Sequence, residues 1–469
     1  MSKSKLKSLK LKKATLQKAK AKQSNAKLRI NKKPKKNKNR KFFLVKGFKD
    51  ILPEEQKYWD FIRDKAINIS RAYGFKRIDL PVLEETELFV KGVGPDTDIV
   101  SHEMFSFSTL GREKVSLRPE GTAGIVRAYI QHGMLNKPKP VKLFYIGPMF
   151  RYDKPQAGRY RQFYQFGAEV LGADDPIIDA QLIYMVYQMY NSFKIPINIQ
   201  INSIGCKTCR NKYIKALKNY LKKNRSKLCA DCKTRYIENA LRVLDCKQKK
   251  CQELILEAPQ IVDYLCEDCN KHFVKVLEYL EDIEVPYILN PFIVRGLDYY
   301  NRTTFEIFPQ NEEDSSQSAL VGGGRYDKLV KNLKGQDTPA IGFSMGLERT
   351  INSLKKIENL KIEPKNKCDI FIAQLGERAR KKALVLFEKL RQSGFKVAEN
   401  ISKSSLKSQL ESANKSNAKL ALIIGQKEIL DNTILIRDME SGNQEVVPED
   451  KISKALKRRL KSLNIRKNR

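Results

Sequence analysis

The first regular pattern along the chain is helical. From Glu54 onward, apolar side chains recur every three to four residues, which is the spacing of one face of an α-helix. Gly74 then marks a helix end, and the run over 75–82, with Pro81 near its end, favours a β-strand. The sequence therefore predicts a helix followed at once by a strand. The apolar positions of the helix are Tyr58, Phe61, Ile62, Ala66, Ile69 and Tyr73.

Apolar and alternating runs in the middle of the chain predict a set of β-strands. The segment 152–160 separates two of these runs and would join them as an antiparallel hairpin. In the second strand of that hairpin, Gln165, Gly167 and Glu169 alternate, so we expect these three positions to share one face of the sheet. The predicted strands cover residues 115–118, 142–146, 162–170 and 303–308.

Two further regions have patterns of their own. Residues 202–284 are rich in helical patterns, lysine and cysteine, which indicates an inserted helical module. Residues 354–367 are polar and Lys-rich, and they are typical of a linker. After this linker, short apolar runs alternate with helical stretches, which predicts a small α/β domain with a parallel or mixed sheet. The apolar runs cover residues 369–374, 396–398 and 420–424.

The charge of the chain is strongly positive. Its 469 residues, enough for two or three domains, carry a formal charge of +37. Residues 1–41 contain 16 Lys, two Arg and no acidic residue, so we interpret them as a basic helix on RNA or a disordered arm. This excess of positive charge favours binding to a polyanion such as a nucleic acid, because each phosphate that the protein neutralises releases bound counterions. An anionic membrane would also attract it, but we expect no membrane span.

The N-terminus and the cysteines bear on the cellular compartment. The N-terminus shows no apolar signal segment, so we expect a cytoplasmic protein with reduced or metal-bound thiols. A transit peptide is the alternative for residues 1–41, although such peptides favour Arg over Lys.

Eight of the nine cysteines lie between Cys206 and Cys269. Two Cys-x2-Cys pairs separated by 19 residues have the spacing of a four-cysteine structural zinc site, and the remaining four cysteines of this region would form a second one. Reduced thiols without metal are the other interpretation, and Cys368 is most simply a small buried residue. The first predicted set is Cys206, Cys209, Cys229 and Cys232, and the second is Cys246, Cys251, Cys266 and Cys269.

The residues with candidate chemistry fall into six short motifs. Several of these motifs contain arginine, whose planar guanidinium grips oxyanions in a bidentate way and keeps its charge. A single arginine is more often part of a surface ion pair, and a glycine run is not a P-loop without a following Gly-Lys-Ser/Thr. The motifs are Arg118-Pro119-Glu120-Gly121-Thr122, Gly147-Pro148-Met149-Phe150-Arg151, the segment 158–163, Arg295-Gly296-Leu297-Asp298-Tyr299-Tyr300, the segment 322–327 and the segment 342–349.

In this order and spacing, the motifs closely resemble those of the histidyl-tRNA synthetases, a family of class II aminoacyl-tRNA synthetases. The resemblance runs from about Phe43 to Leu460. It implies an α+β catalytic domain built on a mainly antiparallel sheet, with a helical insertion and a C-terminal α/β anticodon-binding domain. The implied division is a basic arm over 1–41, a catalytic domain over 42–353 interrupted by the insertion 202–284, a linker over 354–367 and an anticodon-binding domain with a basic tail over 368–469.

The resemblance also implies roles for individual residues around ATP and its Mg²⁺. Arg151 would hold the α-phosphate and Arg349 the γ-phosphate, while Arg295 would approach the α-phosphate from the opposite side, which makes Arg151 and Arg295 the catalytic candidates. Arg159 is a further ATP candidate. Phe163 resembles the aromatic residue on which the family stacks adenine, with a packed core phenylalanine as the alternative.

For the amino acid, the resemblance implies a pocket that recognises imidazole. Glu120, assisted by Thr122, would receive the α-ammonium group, and Glu169 and Tyr300 would bind the two ring nitrogens. Buried polar partners reject amino acids that cannot satisfy them. One departure is Asn301-Arg302, where small residues are frequent in the family, so the local loop shape is in doubt. The full histidine-binding set is Glu120, Thr122, Gln165, Glu169, Arg295, Tyr299 and Tyr300.

The implied partners are ATP, L-histidine, tRNA(His) and a second copy of the chain. The helix–strand pair over 54–82 would form the homodimer interface, the insertion would touch the acceptor arm, and residues 366–460 would bind the anticodon stem. Three alternatives remain at this point. They are a non-catalytic paralogue acting as a regulatory subunit, an RNA-binding protein on the same fold, and a class II enzyme for another amino acid.

Overall fold

The computed structural model describes residues 42–467 except 96, 155–157, 294, 311–318, 364–367, 401, 403 and 404. The basic arm over 1–41 lies outside the described residues. The first predicted helix is confirmed as α1, Pro53–Ala72, which buries Trp59, Ile62 and Ala66. The predicted strand that follows is wrong beyond its start, because only β1, Lys76–Arg77, joins a sheet. The carbonyl groups of Leu80 and Pro81 instead accept hydrogen bonds from Arg118.

An eight-stranded sheet forms the centre of the molecule. Its order is β1-β5-β6-β11-β10-β9-β7-β8, and all neighbours are antiparallel except the two outermost pairs. The sheet confirms the predicted mainly antiparallel architecture. Besides β1, its strands are β5 (Val141–Phe150), β6 (Gln162–Leu171), β7 (Ile197–Ser203), β8 (Ile288–Leu289), β9 (Asn301–Pro309), β10 (Val321–Arg325) and β11 (Ala340–Gly346).

The predicted hairpin is confirmed in β5 and β6, which pair in register from Val141 opposite Leu171 to Phe150 opposite Gln162. Because side chains alternate along a strand, this hairpin has two different faces. Phe144 and Phe166 stack in the main hydrophobic core, with ring centroids 5.7 Å apart. The other face of the hairpin, which we call the polar face, carries Gln165 and Glu169 next to a second hydrophobic cluster that includes Leu143 and Met149. Helices on the core side include α4 (Pro176–Phe193) and α10 (Leu347–Lys355).

Smaller elements border the polar face. A three-stranded antiparallel sheet has the order β2-β4-β3. Its β4 confirms the strand predicted at 115–118, and the turn after it leads into helix α3. These elements are β2 (Leu83–Glu85), α2 (Thr86–Val93), β3 (Ser106–Ser108), β4 (Lys114–Leu117), α3 (Thr122–Gln131) and α9 (Leu329–Asn332).

Between β7 and β8 the chain is helical, as the sequence predicts. The helices of this region are α5 (Lys207–Lys223), α6 (Ala230–Glu238), α7 (Lys249–Leu256) and α8 (Glu267–Asp282). Three of its α-helices, α5 to α7, contribute to a separate cluster of buried residues that includes Tyr213, Leu217 and Val243, whereas α8 packs on the main core through Phe273 and Val276. Four cysteines belong to the separate cluster, so this region has a small core of its own.

The C-terminal region contains a five-stranded mixed sheet of order β13-β12-β14-β15-β16. The three predicted strands are confirmed, and they form the parallel part of this sheet. The antiparallel strands β15 and β16 were not predicted. None of the described helices is long and apolar enough to cross a membrane. The elements are β12 (Ile370–Gln374), α11 (Glu377–Gln392), β13 (Val397–Glu399), α12 (Leu406–Lys415), β14 (Leu420–Ile424), α13 (Gln426–Leu430), β15 (Thr433–Asp438), β16 (Gln444–Pro448) and α14 (Ile452–Lys467).

Candidate active site

The polar face of β5 and β6 forms the floor of a buried pocket. Tyr145, Gln165 and Glu169 all lie on this face, as the alternation predicts, and each is less than a tenth exposed. Gly121 and Gly167 make room for Tyr145, because a Cβ atom at either position would overlap its ring. The floor is therefore built by strand alternation together with two glycines.

Glu169 is the most enclosed carboxylate of the pocket, with 1% of its surface exposed. Thr122 Oγ1 donates a hydrogen bond of 2.8 Å to Glu169 Oε1, and Tyr326 OH donates one of 2.5 Å to Oε2. Burial raises the pKa of Glu169 to about 8, although these two hydrogen bonds oppose the rise. Tyr326 was not among the predicted site residues. Its motif was identified, but the strand register that brings it to Glu169 is not visible in the sequence.

Glu120 lies at the start of helix α3. Its two carboxylate oxygens accept backbone N–H hydrogen bonds from Thr122 at 2.6 Å and from Ala123 at 2.9 Å. This arrangement satisfies two of the otherwise unpaired donors of the first helical turn. Burial raises the pKa of Glu120, and the same backbone hydrogen bonds oppose that rise. Glu120 is thus held rigidly against the start of helix α3, next to Thr122.

Several polar atoms of the pocket have no hydrogen-bond partner among the described residues. They include Gln165 Oε1, the hydroxyl of Tyr145 and Nε of Arg295. Buried polar groups are normally paired, so each unpaired group needs an explanation. An acceptor, a hydroxyl and a cationic donor around one cavity are complementary to a small zwitterion with a polar ring.

Arg295 forms the wall of the pocket next to β9. Its Nη1 pairs with Glu306, and its guanidinium lies over the ring of Tyr300, 5.2 Å from the centroid. Tyr299 and Tyr300 are both buried, and their ring centroids are 4.6 Å apart. Burial raises the pKa of Tyr299 and of Tyr300, and the charge of Glu169 raises both further, so the two rings of the motif over 295–300 lie near that carboxylate. Arg295 also lines a cavity together with Arg210 and Asp298.

Three other arginines lie close to one another near the hairpin. Arg151 donates from Nε to the Pro119 carbonyl at 2.9 Å, and its guanidinium lies 5.4 Å from the centroid of Phe163. Arg349 donates to the Ala319 carbonyl at 2.8 Å. Burial lowers the pKa of Arg151 and of Arg349, and the charges of Arg159 and then Arg151 lower that of Arg349 further. Both remain charged at neutral pH, so they present positive charge to an anion.

Arg159 pairs with Asp153 at 2.8 Å on the hairpin loop and is partly exposed. It is the least constrained of the predicted ATP-binding arginines. Arg118, in contrast, is a structural residue. It donates to the carbonyl groups of Pro148 at 2.9 Å and of Leu80 at 2.7 Å, and so links the hairpin to the segment after β1.

The departure at Asn301-Arg302 has a defined local structure. Arg302 adopts a left-handed conformation with φ of 53°. Asn301 exchanges two hydrogen bonds with Asp327, of 2.6 and 2.7 Å. The bulky residues therefore shape the start of β9 without entering the pocket floor.

The cysteines form two groups of four, but the predicted membership is wrong. Cys206 and Cys209 meet Cys266 and Cys269, while Cys229 and Cys232 meet Cys246 and Cys251. The sequence argument joined neighbouring Cys-x2-Cys pairs, whereas the fold brings the beginnings of helices α5 and α8 together. In each group the four sulfur atoms lie within 4.8 Å of one another, so each group could hold a metal ion. Cys368 is half-buried and donates to the Ile370 carbonyl at 2.9 Å.

Comparisons with known proteins show which family the chain is similar to. Residues 47–350 match the family model of histidyl-tRNA synthetase, and residues 369–459 match that of the anticodon binding domain. The histidine–tRNA ligase of Dehalococcoides mccartyi is 45% identical over 416 residues, which cover 88% of this chain and 99% of that protein. The histidine–tRNA ligase of Natranaerobius thermophilus is 44% identical over 405 residues, with 86% and 96% covered.

A solved structure shows the same similarity. The crystal structure of apo S. aureus histidyl-tRNA synthetase aligns with a TM-score of 0.75 and 34% identity, covering 89% of this chain and 100% of that one. The predicted resemblance is thus confirmed by sequence and by fold, and the chain belongs to the histidyl-tRNA synthetase family.

Proposed function

We propose that this chain is a histidine–tRNA ligase that forms histidyl-adenylate in the pocket over β5 and β6 and transfers histidine to the 3′ end of tRNA(His). Ligation of an amino acid to tRNA is the activity that family membership indicates. The observation that carries the proposal for this pocket is its set of buried, unpaired polar atoms. They lie among two enclosed carboxylates, Glu120 and Glu169, and several guanidiniums.

The histidine side of the pocket follows from the charges. Glu120, with Gln165 and Tyr299 nearby, would receive the α-ammonium group, and Arg295 would bind the carboxylate. Glu169 and Tyr300 would bind the imidazole nitrogens, with Thr122 and Tyr326 holding Glu169 in place through their hydroxyl groups. An amino acid without a matching ring would leave buried polar atoms of the site, such as Gln165 Oε1 and the Tyr145 hydroxyl, without partners, which would favour histidine.

The ATP side follows from the cluster of cations. Arg151, Arg159 and Arg349 would bind the phosphates, and Phe163 would stack on the adenine. Negative charge concentrates at the α-phosphate during attack by the histidine carboxylate, and Arg151 and Arg295 would stabilise it from two sides. Family members use Mg²⁺ with ATP, and the ion supplies further charge neutralisation at the phosphates. Glu306, beside Arg295, is a carboxylate suited to hold it.

The remaining regions have proposed roles in tRNA binding and assembly. Residues 42–353 would form the catalytic domain, the insertion 202–284 would contact the acceptor arm, and residues 368–469, after the linker 354–367, would bind the anticodon stem. We propose a cytoplasmic homodimer with structural zinc in the insertion. The basic arm over 1–41 would add affinity for tRNA.

Pyrophosphate exchange with ATP, measured with each of the twenty amino acids, tests the activation step. We expect exchange with histidine alone. Arg295→Ala should reduce the histidine-dependent rate by about 100-fold or more, as expected for loss of a group that stabilises transition-state charge. Arg391→Ala is the matched control, because Arg391 is exposed and pairs with Glu388 on the same helix, α11, in the C-terminal region.

The outcomes separate the alternatives. Exchange with another amino acid would contradict the imidazole pocket. A folded protein that exchanges with none would contradict the proposal, and it would then favour the regulatory paralogue or the RNA-binding protein. The retention of all predicted pocket residues, together with the similarity to histidine–tRNA ligases, disfavours both of these.

A further inference from the structure

We infer that the insertion binds two structural zinc ions, and that one of them positions the histidine pocket. We call Cys206, Cys209, Cys266 and Cys269 the base cluster, because they lie where the insertion leaves and rejoins the sheet. We call Cys229, Cys232, Cys246 and Cys251 the core cluster, because they belong to the hydrophobic core of the insertion.

The geometry of both clusters suits a single tetrahedral ion. A Zn–S bond of about 2.3 Å places the sulfur atoms of a tetrahedral site about 3.8 Å apart. The Sγ–Sγ distances are 3.5 Å for Cys206–Cys209, 4.0 Å for Cys206–Cys266 and 3.8 Å for Cys229–Cys246. A disulfide requires about 2.05 Å. Each cluster has four thiols and no further His, Asp or Glu ligand among the described residues, so each ion would be structural.

Local structure prepares these sulfur atoms for a metal. Cys206, Cys229 and Cys266 each immediately precede a helix, and Cys209, Cys232 and Cys269 follow in the first turn. The Cys266 N–H donates to Cys209 Sγ at 3.0 Å, and the Cys229 N–H donates to Cys251 Sγ at 3.3 Å. Backbone donors of this kind stabilise thiolates, which are the form that binds zinc.

The base cluster is connected directly to the pocket on its first side. Arg210, next to Cys209, donates from Nη2 to the carbonyl group of Tyr300. Gly205, next to Cys206, accepts a hydrogen bond of 3.0 Å from the Arg302 N–H, and the Arg302 carbonyl accepts one of 2.9 Å from Ile204. The backbone on both sides of Tyr300 and Asn301 is therefore fixed by residues that adjoin the first two ligands.

The other two ligands of the base cluster, Cys266 and Cys269, are connected to Glu169 through a series of side-chain contacts. His272, three residues after Cys269, contacts Asp179 at 2.9 Å, and Asp179 binds the fully buried Arg325 at 2.8 Å. Arg325 directly precedes Tyr326, whose hydroxyl binds Glu169. An ion in the base cluster would thus hold the beginnings of helices α5 and α8 together. Helix α5 supports Tyr300 through Arg210, and helix α8 supports Glu169 through the contacts that begin at His272.

Among the described residues, the core cluster has no hydrogen bond to the segment 300–302 or to Tyr326. Its links to the catalytic body are the ion pair of Arg242 with Asp98 at 2.9 Å and a cavity that Asp245, next to Cys246, lines together with Arg295. Its sulfur atoms lie among Tyr213, Leu217 and Val243, inside the insertion. We therefore expect unequal consequences. Loss of the base ion disturbs the supports of Tyr300 and Glu169 and therefore histidine binding, whereas loss of the core ion acts mainly on the insertion and has a smaller effect on histidine binding. The kinetic part of this inference rests on the proposed function, and the metal part does not.

The first test is zinc content, measured by mass spectrometry on the full-length protein purified under reducing conditions. We expect two equivalents per chain. The double variants Cys206→Ser/Cys209→Ser and Cys229→Ser/Cys232→Ser should each lose one equivalent, and Cys368→Ser, the control, should lose none. Cobalt(II) substitution should give thiolate-to-cobalt charge-transfer absorption at both sites. One equivalent or none in the wild type, or loss of both ions from either variant, would overturn the two-site assignment.

The second test is histidine-dependent pyrophosphate exchange. The base-cluster variant should raise the KM for histidine by about tenfold, a typical effect of removing the support of a binding residue, while the KM for ATP should change little. The core-cluster variant should raise the KM for histidine less and leave the KM for ATP nearly unchanged. Cys266→His, which keeps a ligand, should retain both the ion and the wild-type KM. Equal effects of the two double variants would overturn the positioning role. Two bound ions without any histidine-dependent exchange would contradict the proposed function and leave the metal sites intact.

Discussion

At the scale of single residues, the site depends on carboxylates kept in surroundings that disfavour their charge. Glu169 is enclosed by Thr122, Tyr326 and the backbone of β11, and its pKa is raised to about 8 because of burial. The resemblance of the motifs implied that Glu169 is a pocket residue, and its alternation with Gln165 on one strand placed the two on the same face. The sequence did not identify Tyr326, because that hydrogen bond joins positions 157 residues apart and depends on the register of three strands.

Replacing Glu169 with Gln tests the state of this carboxyl group. In the unfolded chain the group ionises near pH 4.5, whereas in the folded protein it stays protonated up to about pH 8. The unfolded state therefore loses a proton that the folded state retains, and Glu169 lowers the stability of the protein as the pH rises between these values. Between these pH values, Glu169 lowers the free energy of unfolding by at most about 1.4 kcal/mol for each pH unit.

Melting temperatures of the wild type and Glu169→Gln, measured without ligands from about pH 5 to about pH 8, report this difference. The stability of the variant relative to the wild type should increase with pH and then level off. Glu113→Gln is the control, because Glu113 is exposed. Parallel pH profiles of the wild type and Glu169→Gln would show that Glu169 is ionised in the folded protein.

At the scale of elements, strands with a clear period of two were predictable and irregular connections were not. The strand predicted at 420–424 matches β14 residue for residue. Strand β15 was missed although Ile434 and Ile436 alternate with more exposed neighbours, so the signal was present. The segment after β1 has the apolar composition of a strand. Its Leu80 and Pro81 carbonyl groups accept hydrogen bonds from the Arg118 side chain, however, and do not pair with a neighbouring strand. The membership of the cysteine groups was predicted wrongly because Cys206 and Cys266, at the beginnings of helices α5 and α8, are close in the fold but far apart in the sequence.

The pairing of β6 with β11 predicts that Gly342, which faces Glu169, cannot be replaced by a larger residue without a loss of stability. Gly342 lies opposite Glu169 in the antiparallel register, and a Cβ atom at this position would overlap the Glu169 carboxylate. Gly342→Ala must therefore displace that side chain or separate the strands. Overpacking of this kind costs about 1–3 kcal/mol.

We expect Gly342→Ala to lower the melting temperature and to raise the KM for histidine more than the KM for ATP. Gly111→Ala is the matched control, because a Cβ atom there meets only Thr109 at 3.6 Å, an ordinary van der Waals distance. A KM for histidine equal to that of the wild type would mean that Glu169 does not contact the substrate ring.

At the scale of the whole molecule, the excess of positive charge is unevenly distributed. The 16 Lys and two Arg of residues 1–41, with no acidic residue, supply nearly half of the formal charge of +37. In the proposed function the arginines of the pocket bind small anions, and each of them contacts specific neighbours. The arm has the composition of a general phosphate-binding segment, so its contribution should be electrostatic and independent of the chemistry in the pocket.

Deleting residues 1–41 should weaken the binding of tRNA(His) and make its affinity less dependent on salt, while histidine-dependent pyrophosphate exchange stays unchanged. Each phosphate that the protein no longer neutralises should reduce the slope of log K against log salt by about 0.7 to 0.9. The measurement is a binding titration at several salt concentrations, with the deletion compared with a variant in which an uncharged linker of equal length replaces the arm. If the arm acts through charge, both variants show the same reduction in slope. An unchanged slope in both would mean that the tRNA is bound by the rest of the chain alone, whose remaining charge of +19 would then account for the whole salt dependence.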